Sequence, residues 1–457
     1  MKLFSAALPI VLALMSNLPS YAQSPVHRMD EIVQSYVDAK DFIGSVLVAK
    51  DQSVLLNRGY GYADAEWKIP NTPTTKFRLG SVTKQFTAAA IMRLVDQGRL
   101  DLDAPIKRYM PDAPTTWDRV TVRLLLTHQA GIPNFTAFPD YGQTQAHNTT
   151  PEALVARFRD KPLDFVPGSR FSYSNSGYAL LGYLLERVSG QAYSTFLKSS
   201  FFEPLGMSAT GVDDNALILP QRASGYVIRG GQLQNADYLS MTVPYAAGAI
   251  YSTTVDLLKW ERALFGGKIL SPASLQLMTM PVISGYGFGL FALTRYGNRV
   301  FYHSGDIEGF NAMLAYYPDQ KITVAVLGNM KSGAPEEIAE YLGRVALGQH
   351  VITDKERTTV LLEPALLAEY AGAYRTATGL TLVITNTGGD LALQLSNGVR
   401  SGPQFAMTPE SQRVFYVKEL HSEVQFLHAR DGSLQVTSSE QGHDDLIGIK
   451  IPESVRQ

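Results

Sequence analysis

Ser81 and Lys84 lie three residues apart in Phe77-Arg-Leu-Gly-Ser-Val-Thr-Lys-Gln-Phe86, just after Gly80 and at the head of an apolar-periodic run. If that run is a helix, positions i and i+3 share a face and an amine comes within reach of a hydroxyl. A serine hydroxyl is a weak nucleophile until a neighbouring base takes its proton, and this spacing could supply that base. The first turn of a helix also offers unpaired backbone N–H groups that can stabilise an oxyanion. Ser-x-x-Lys equally describes an ordinary solvated helix face, so the rest of the chain has to decide.

Two other groups are candidates for joining this pair. Tyr173-Ser-Asn175 sits in Pro167-Gly-Ser-Arg-Phe-Ser-Tyr-Ser-Asn-Ser-Gly177, a stretch rich in turn residues that enters a helix. The same Tyr-x-Asn spacing recurs at Tyr296-Gly-Asn298, where a hairpin turn explains it. His303-Ser304-Gly305 falls at the end of a predicted strand, Arg299 to His303, and loop or strand-end positions suit functional groups held by a scaffold. Lys331-Ser-Gly333 competes for the third place, but it follows the last strand of its region.

The elements that must position these residues are legible as periodicity. Ile43 to Arg58 alternates around Asp51-Gln52, a hairpin signal, and Met29 to Ala39 before it reads as helical. The helix opening at Ser81 runs to Gly98, a second covers Val122 to Thr127, and a third runs from Tyr178 to Val188 before Gly190. Residues 299–329 read as a three-strand meander. Helices flanking an early hairpin and a late meander predict an α/β layered domain whose first and last strands share one antiparallel sheet. Beyond residue 350 a short helix, Leu362 to Tyr370, precedes evenly spaced short strands, the pattern of a small β-barrel or sandwich.

Composition limits the function classes. The chain has 457 residues, 45% of them hydrophobic, ample for a large core. Its net charge of −2 and lack of a basic cluster argue against a nucleic-acid partner. Residues 1–22 carry the marks of a secretory signal: Lys2, the apolar run Leu3 to Met15, and Ser20-Tyr-Ala22 as cleavage site. No later stretch reaches the roughly 18 apolar residues that span a bilayer, so an exported, soluble, most simply periplasmic protein is expected. It contains no cysteine and hence no disulfide, and its eight histidines are scattered without ligand-like pairing, so no metal or organic cofactor is implied.

The ordered set Ser81-x-x-Lys84, Tyr173-x-Asn175 and His303-Ser304-Gly305 resembles the serine β-lactamase and penicillin-recognising superfamily, in its class C β-lactamase, DD-peptidase and esterase branch. The resemblance covers about residues 30–345. It is supported by Leu124-Leu-Leu-Thr-His-Gln-Ala-Gly131, Pro167-Gly-Ser, Pro204-Leu-Gly-Met207, Tyr286-Gly-Phe-Gly-Leu290 and Gly309-Phe310. It implies an antiparallel sheet flanked by helices with an all-helical lobe. It implies Ser81 as acyl-forming nucleophile and Lys84, with a lowered pKa, as proton acceptor or electrostatic partner. Tyr173, pushed toward its phenolate by Lys84, would be a base in acylation and an acid toward the leaving group. Asn175, His303, Ser304 and Gly305 would bind substrate, and the backbone N–H groups of Ser81 and Asp306 would form the oxyanion hole. His128 reads as structural, positioning a turn near the site.

Two departures bear on substrate. Histidine replaces lysine at the third motif, which weakens recognition of a carboxylate. Asp306 stands where relatives often carry glycine, and an anion there would favour an amine over an acid. The segment around Leu366-Leu-Ala-Glu-Tyr-Ala-Gly-Ala-Tyr-Arg375 resembles the lipocalin-like module appended to many such hydrolases. The expected division is therefore signal 1–22, hydrolase 23–350 and barrel 351–457. The expected function is an exported serine hydrolase acting on amide or peptide bonds of D-amino-acid or peptidoglycan-like substrates. β-Lactamase, short-chain esterase and a penicillin-binding sensor that does not turn over are the alternatives, and oligomeric state is left open.

Overall fold

The computed structural model describes residues 24–451 apart from 378, 399–400, 421, 430–431 and 441–445. The signal read at residues 1–22 lies outside the described residues. Strands β1 (Gly44–Lys50), β2 (Ser53–Tyr60), β3 (Phe291–Arg295), β4 (Asn298–Ile307), β5 (Phe310–Tyr317) and β6 (Ile322–Gly328) form one antiparallel sheet, in the order β3-β4-β5-β6-β1-β2. The early hairpin and the late meander join through β1 and β6, with Gly44 opposite Gly328 and Lys50 opposite Ile322.

Helices that bear on the site are α1 (Pro25–Asp38), α2 (Thr83–Asp96), α3 (Val122–Leu126), α4 (Asn175–Ser189), α5 (Tyr245–Gly248) and α6 (Ala334–Ala346). The period-two alternation of β1 sends Val46 and Val48 to one face of the sheet and Leu47 and Ala49 to the other. The first pair packs with Met29, Ile32, Val33 and Tyr36 of α1 and Ile338 and Leu342 of α6. Leu47 and Ala49 belong to the larger core built around α2. Each buried side chain of leucine or valine size contributes about 2 kcal/mol, so the sheet is clamped from both sides and cannot slide in register.

Beyond the sheet, Gly372–Lys450 closes an eight-stranded barrel, its first strand Gly372–Thr376 pairing with its last, Leu446–Lys450. The interior is filled by side chains that include Tyr374, Leu382, Leu393, Phe415 and Val436. A short helix α7 (Pro364–Tyr370) adds Tyr370, whose ring stacks on Phe426 at 3.9 Å. No helix among the described residues is long and apolar enough to cross a membrane.

Two sequence expectations shift. Ser81 does not open the α-helix itself but lies in a 3-10 turn, Gly80–Val82, that leads into α2. Residues three apart eclipse in a 3-10 turn, so Ser81 still faces Lys84. The strand expected to end at His303 runs on to Ile307, because Ser304, Gly305 and Asp306 continue the ladder opposite Met313, Ala312 and Asn311.

Candidate active site

Gly80 turns the chain from the short strand Phe77–Arg78 into α2 with φ +52°, a conformation that favours glycine. Its Cα faces β4: a Cβ built there would lie 3.0 Å from the Asp306 nitrogen. Gly305 answers from the strand, where a Cβ would fall 1.9 Å from the Leu79 carbonyl oxygen and 3.1 Å from the Ser81 nitrogen. Two residues without side chains therefore bring the Ser81 turn and β4 into backbone contact. The amides of Ser81 and Asp306 border the same cleft as a result.

α2 is buried almost all round, with eleven of its 14 residues inside. Lys84 is among them and is fully enclosed. Its Nζ lies 2.9 Å from Ser81 Oγ, 2.8 Å from Asn175 Oδ1 and 2.9 Å from the Ala247 carbonyl of α5. None of these partners is an anion, and burial pushes the ammonium pKa well below its ordinary value. A neutral amine has two protons and one lone pair. All three oxygens, Ser81 Oγ among them, accept from Nζ; once the ammonium gives up one proton its lone pair falls to the Ser81 hydroxyl, because the Asn175 and Ala247 oxygens can only accept. The arrangement can thus take a proton from Ser81.

Tyr173 arrives on the loop before α4, and Asn175 is the first residue of that helix. Residues 174–176 are stitched to the loop at 132–136. Ser174 Oγ donates to the Ile132 carbonyl at 3.0 Å and Ser176 Oγ to the Pro133 carbonyl at 2.6 Å. The Asn175 N–H donates to Asn134 Oδ1, and Asn175 Nδ2 to Thr136 Oγ1, each at 3.1 Å. One proton of that Nδ2 is left for a substrate carbonyl. Tyr173 presents its ring face to Lys84, with Nζ 4.8 Å from the centroid. The expected push toward phenolate runs the other way. Burial raises the phenol pKa, and only its hydrogen bond with Ser81 pulls it back in part.

His303 is buried and turned into the protein. Its Nδ1 lies 2.6 Å from the Ser304 carbonyl, which can only accept, so Nδ1 carries the proton and Nε2 accepts from the Tyr286 hydroxyl at 3.1 Å. Burial and the proximity of Lys84 lower the imidazole pKa to about 3. It is neutral at any ordinary pH.

These residues surround a cleft of about 350 Å³, lined by Ser81, Tyr173 and Asn175 with Thr136, Tyr141, Asp306, Glu308 and Lys331 among others. Neither His303 nor Ser304 is among the lining residues; His303 lies behind the cleft against the Tyr173 ring, centroids 6.2 Å apart, while Gly305 lets β4 approach. Lys331, weighed in the sequence as a rival third motif, stands off the end of β6 as its position implied, yet its side chain reaches the cleft. Its Nζ is 3.1 Å from Asp306 Oδ1. The Asp306 carboxylate, expected to present an anion to substrate, therefore has a cation beside it. Lys331, Thr136, Glu308 and the Ala247 carbonyl carry no spacing signal relative to Ser81, and only folding brings them in.

A family profile described as Beta-lactamase matches residues 29–348. Penicillin-binding protein 4* of Bacillus subtilis (strain 168) is 26% identical over 453 residues, covering 93% of this chain and 98% of that protein. Among solved structures, the octameric penicillin-binding protein homologue from Pyrococcus abyssi aligns with TM-score 0.65 and 28% identity, covering 93% of this chain and all of the other (100%). The D-amino acid amidase from Ochrobactrum anthropi SV3, complexed with L-phenylalanine amide, aligns with TM-score 0.61 and 27% identity over 70% of this chain and 98% of its own. With most of its length matched and a buried lysine amine against a serine at the head of its central helix, the chain belongs to the beta-lactamase family and is a serine hydrolase of the penicillin-binding-protein type.

Proposed function

We propose that this hydrolase cleaves amide or peptide bonds of D-amino-acid or peptidoglycan-like substrates through an acyl-enzyme on Ser81. The observation that carries the reading is the Lys84 amine, buried without a carboxylate and 2.9 Å from Ser81 Oγ. Lys84 takes the Oγ proton as Oγ attacks the carbonyl carbon. The backbone N–H groups of Ser81 and Asp306 hold the oxyanion, and the Asn175 amide orients the substrate. Tyr173 donates its phenolic proton to the leaving nitrogen as the C–N bond breaks. The phenolate left behind lies beside the newly formed Lys84 ammonium, so the pair is neutral overall. Water then attacks the ester, giving a proton to Tyr173 while Lys84 returns one to Oγ, and the enzyme is restored.

The substrate class rests on charge. The only cationic side chain among the described cleft-lining residues is Lys331, and Asp306 already engages it. His303 is neutral and turned away. A substrate carboxylate, as β-lactams and D-peptide C-termini carry, finds no uncommitted cation there, which favours amides and amine-bearing substrates. The similarity to a D-amino acid amidase supports the same reading. We further propose export through residues 1–22 and a hydrolase-plus-barrel organisation dividing near residue 350.

Incubating the protein with D-phenylalanine amide, L-phenylalanine amide and benzylpenicillin tests this, with product release and intact protein mass followed together. The expected result is turnover of the D-amide and, with benzylpenicillin, a slow adduct on Ser81. Drug consumed faster than the D-amide would replace the reading with β-lactamase, and a Ser81→Ala variant that kept its rate would remove the scheme altogether.

A further inference from the structure

His128 occupies φ +55°, a left-handed conformation unusual for a residue with a side chain. It is buried directly behind the cleft, one residue beyond the C-cap of α3. From this place it makes two hydrogen bonds to one short stretch of chain. Its carbonyl oxygen accepts the Ser172 N–H at 2.9 Å, and its Nδ1 accepts the Ser174 N–H at 3.1 Å. These donors sit on either side of Tyr173. The imidazole also lies against the Tyr173 ring, centroids 4.3 Å apart and planes 34° from parallel. On its other sides are Tyr178 and Tyr286, at 5.1 and 4.8 Å.

An Nδ1 that accepts from an amide places the ring proton on Nε2, and Nε2 has no hydrogen-bond partner among the described residues. The ring is therefore neither poised as a catalytic base nor part of a relay. Desolvation, with Lys84 and His303 nearby, holds its pKa well below the ordinary value, which keeps Nδ1 free to accept. A left-handed backbone is strained for a residue with a side chain and persists where surrounding structure demands it. Here it allows the carbonyl and the ring nitrogen of one residue to grip both flanks of another.

We propose that His128 is the positioning residue for Tyr173: it clamps the backbone on both sides of that tyrosine and backs its ring, so that the phenol points at the leaving group. This rests on Tyr173 being the proton donor of the acylation step. It reaches beyond that reading because His128 touches neither substrate nor Ser81.

A leaving-group comparison tests it. An amide needs a proton at the departing nitrogen, whereas a p-nitrophenyl ester releases a stable phenolate without one. Burst-phase acylation would be measured on a D-amino-acid anilide and on the matching p-nitrophenyl ester. The proteins would be the wild type, Tyr173→Phe, His128→Phe and His128→Asn. Phenylalanine keeps a ring and loses the acceptor. Asparagine places Oδ1 near the Nδ1 position and tolerates the left-handed backbone.

The expected result is a loss of about 100-fold for His128→Phe on the anilide, with the ester within about threefold, as misplacement by an ångström commonly costs. His128→Asn should recover most of the anilide rate. Adding His128→Phe to Tyr173→Phe should cost nothing further, because a residue acting through another is not additive with it. Equal losses on both substrates, no rescue by asparagine, or full additivity would each overturn the proposal. If Tyr173→Phe itself shows no preference for the ester, the assignment of the proton donor fails instead, and the two failures are told apart.

Discussion

The Lys331 ammonium lies 3.1 Å from the Asp306 carboxylate across the mouth of the cleft that holds Ser81. One residue follows the third motif on β4 and the other stands beyond the end of β6, so the pair joins two strands that are not neighbours. Both side chains are about half exposed, at 51% and 59%. Their pairing is therefore worth little to stability, about 0–1 kcal/mol, but it sets which charge the cleft shows an arriving substrate.

Asp306→Asn should free Lys331 and improve acylation by carboxylate-bearing substrates about 3- to 10-fold, with little change for neutral amides. Lys331→Ala should do the reverse. Rates of benzylpenicillin adduct formation and of D-amide turnover, measured at low and high salt, check this. The difference should shrink as salt screens the pair.

Lys84→Met should leave a folded protein that has lost about 10³-fold or more of its acylation rate, because it removes the amine that lies 2.9 Å from Ser81 Oγ. Two buried acceptors, Asn175 Oδ1 and the Ala247 carbonyl, lose their donor, so a stability loss of about 1–3 kcal/mol accompanies it. Burst kinetics and a denaturant titration separate the two effects.

Gly305→Ala should inactivate the enzyme without touching any reactive side chain. The added methyl would meet the Leu79 carbonyl at 1.9 Å and push β4 away from the Ser81 turn, separating the two oxyanion donors. A loss of about 100-fold in kcat/KM is expected, with destabilisation of about 1–3 kcal/mol. Steady-state kinetics beside thermal unfolding distinguish the local effect from collapse.

His303 and His128 should make the protein acid-sensitive. Both pKa values are depressed in the folded state, His303 to about 3, so the unfolded chain binds more protons as pH falls below about 6.5. Their contribution is complete above about pH 6.5 and is lost progressively as pH falls toward 3. The stability slope is up to about 1.4 kcal/mol per pH unit for each. Thermal unfolding between pH 7 and 4 should show this fall, and His303→Gln should flatten it.

How much of this was legible can be judged from particular residues. Ser81 and Lys84 sit within one helical turn, so local spacing alone put the candidate nucleophile beside an amine. Alternation in β1 and the meander of β4 to β6 announced the sheet, because a period of two survives in the sequence whatever the partner. The barrel was legible for the same reason. The end of β4 was not: Gly305 reads locally as a strand breaker, and only the approach of Leu79 and Ser81 explains why the strand needs it.

The amino-acid sequence by itself determined the family pattern, the candidate nucleophile and the strand and helix periods, since these depend on residue types a few positions apart. Tertiary structure decided which way burial shifts the buried titratable groups and the charge of the cleft. Whether Lys84 is a cation or a base depends on the water excluded around it and on which oxygens meet its Nζ, and those come from Asn175 and Ala247, 91 and 163 residues away. The same holds for Asp306 and Lys331, for His303 turned onto Tyr286, and for His128 gripping both sides of Tyr173. Desolvation and long-range contact are properties of the packed interior, and no local spacing encodes them.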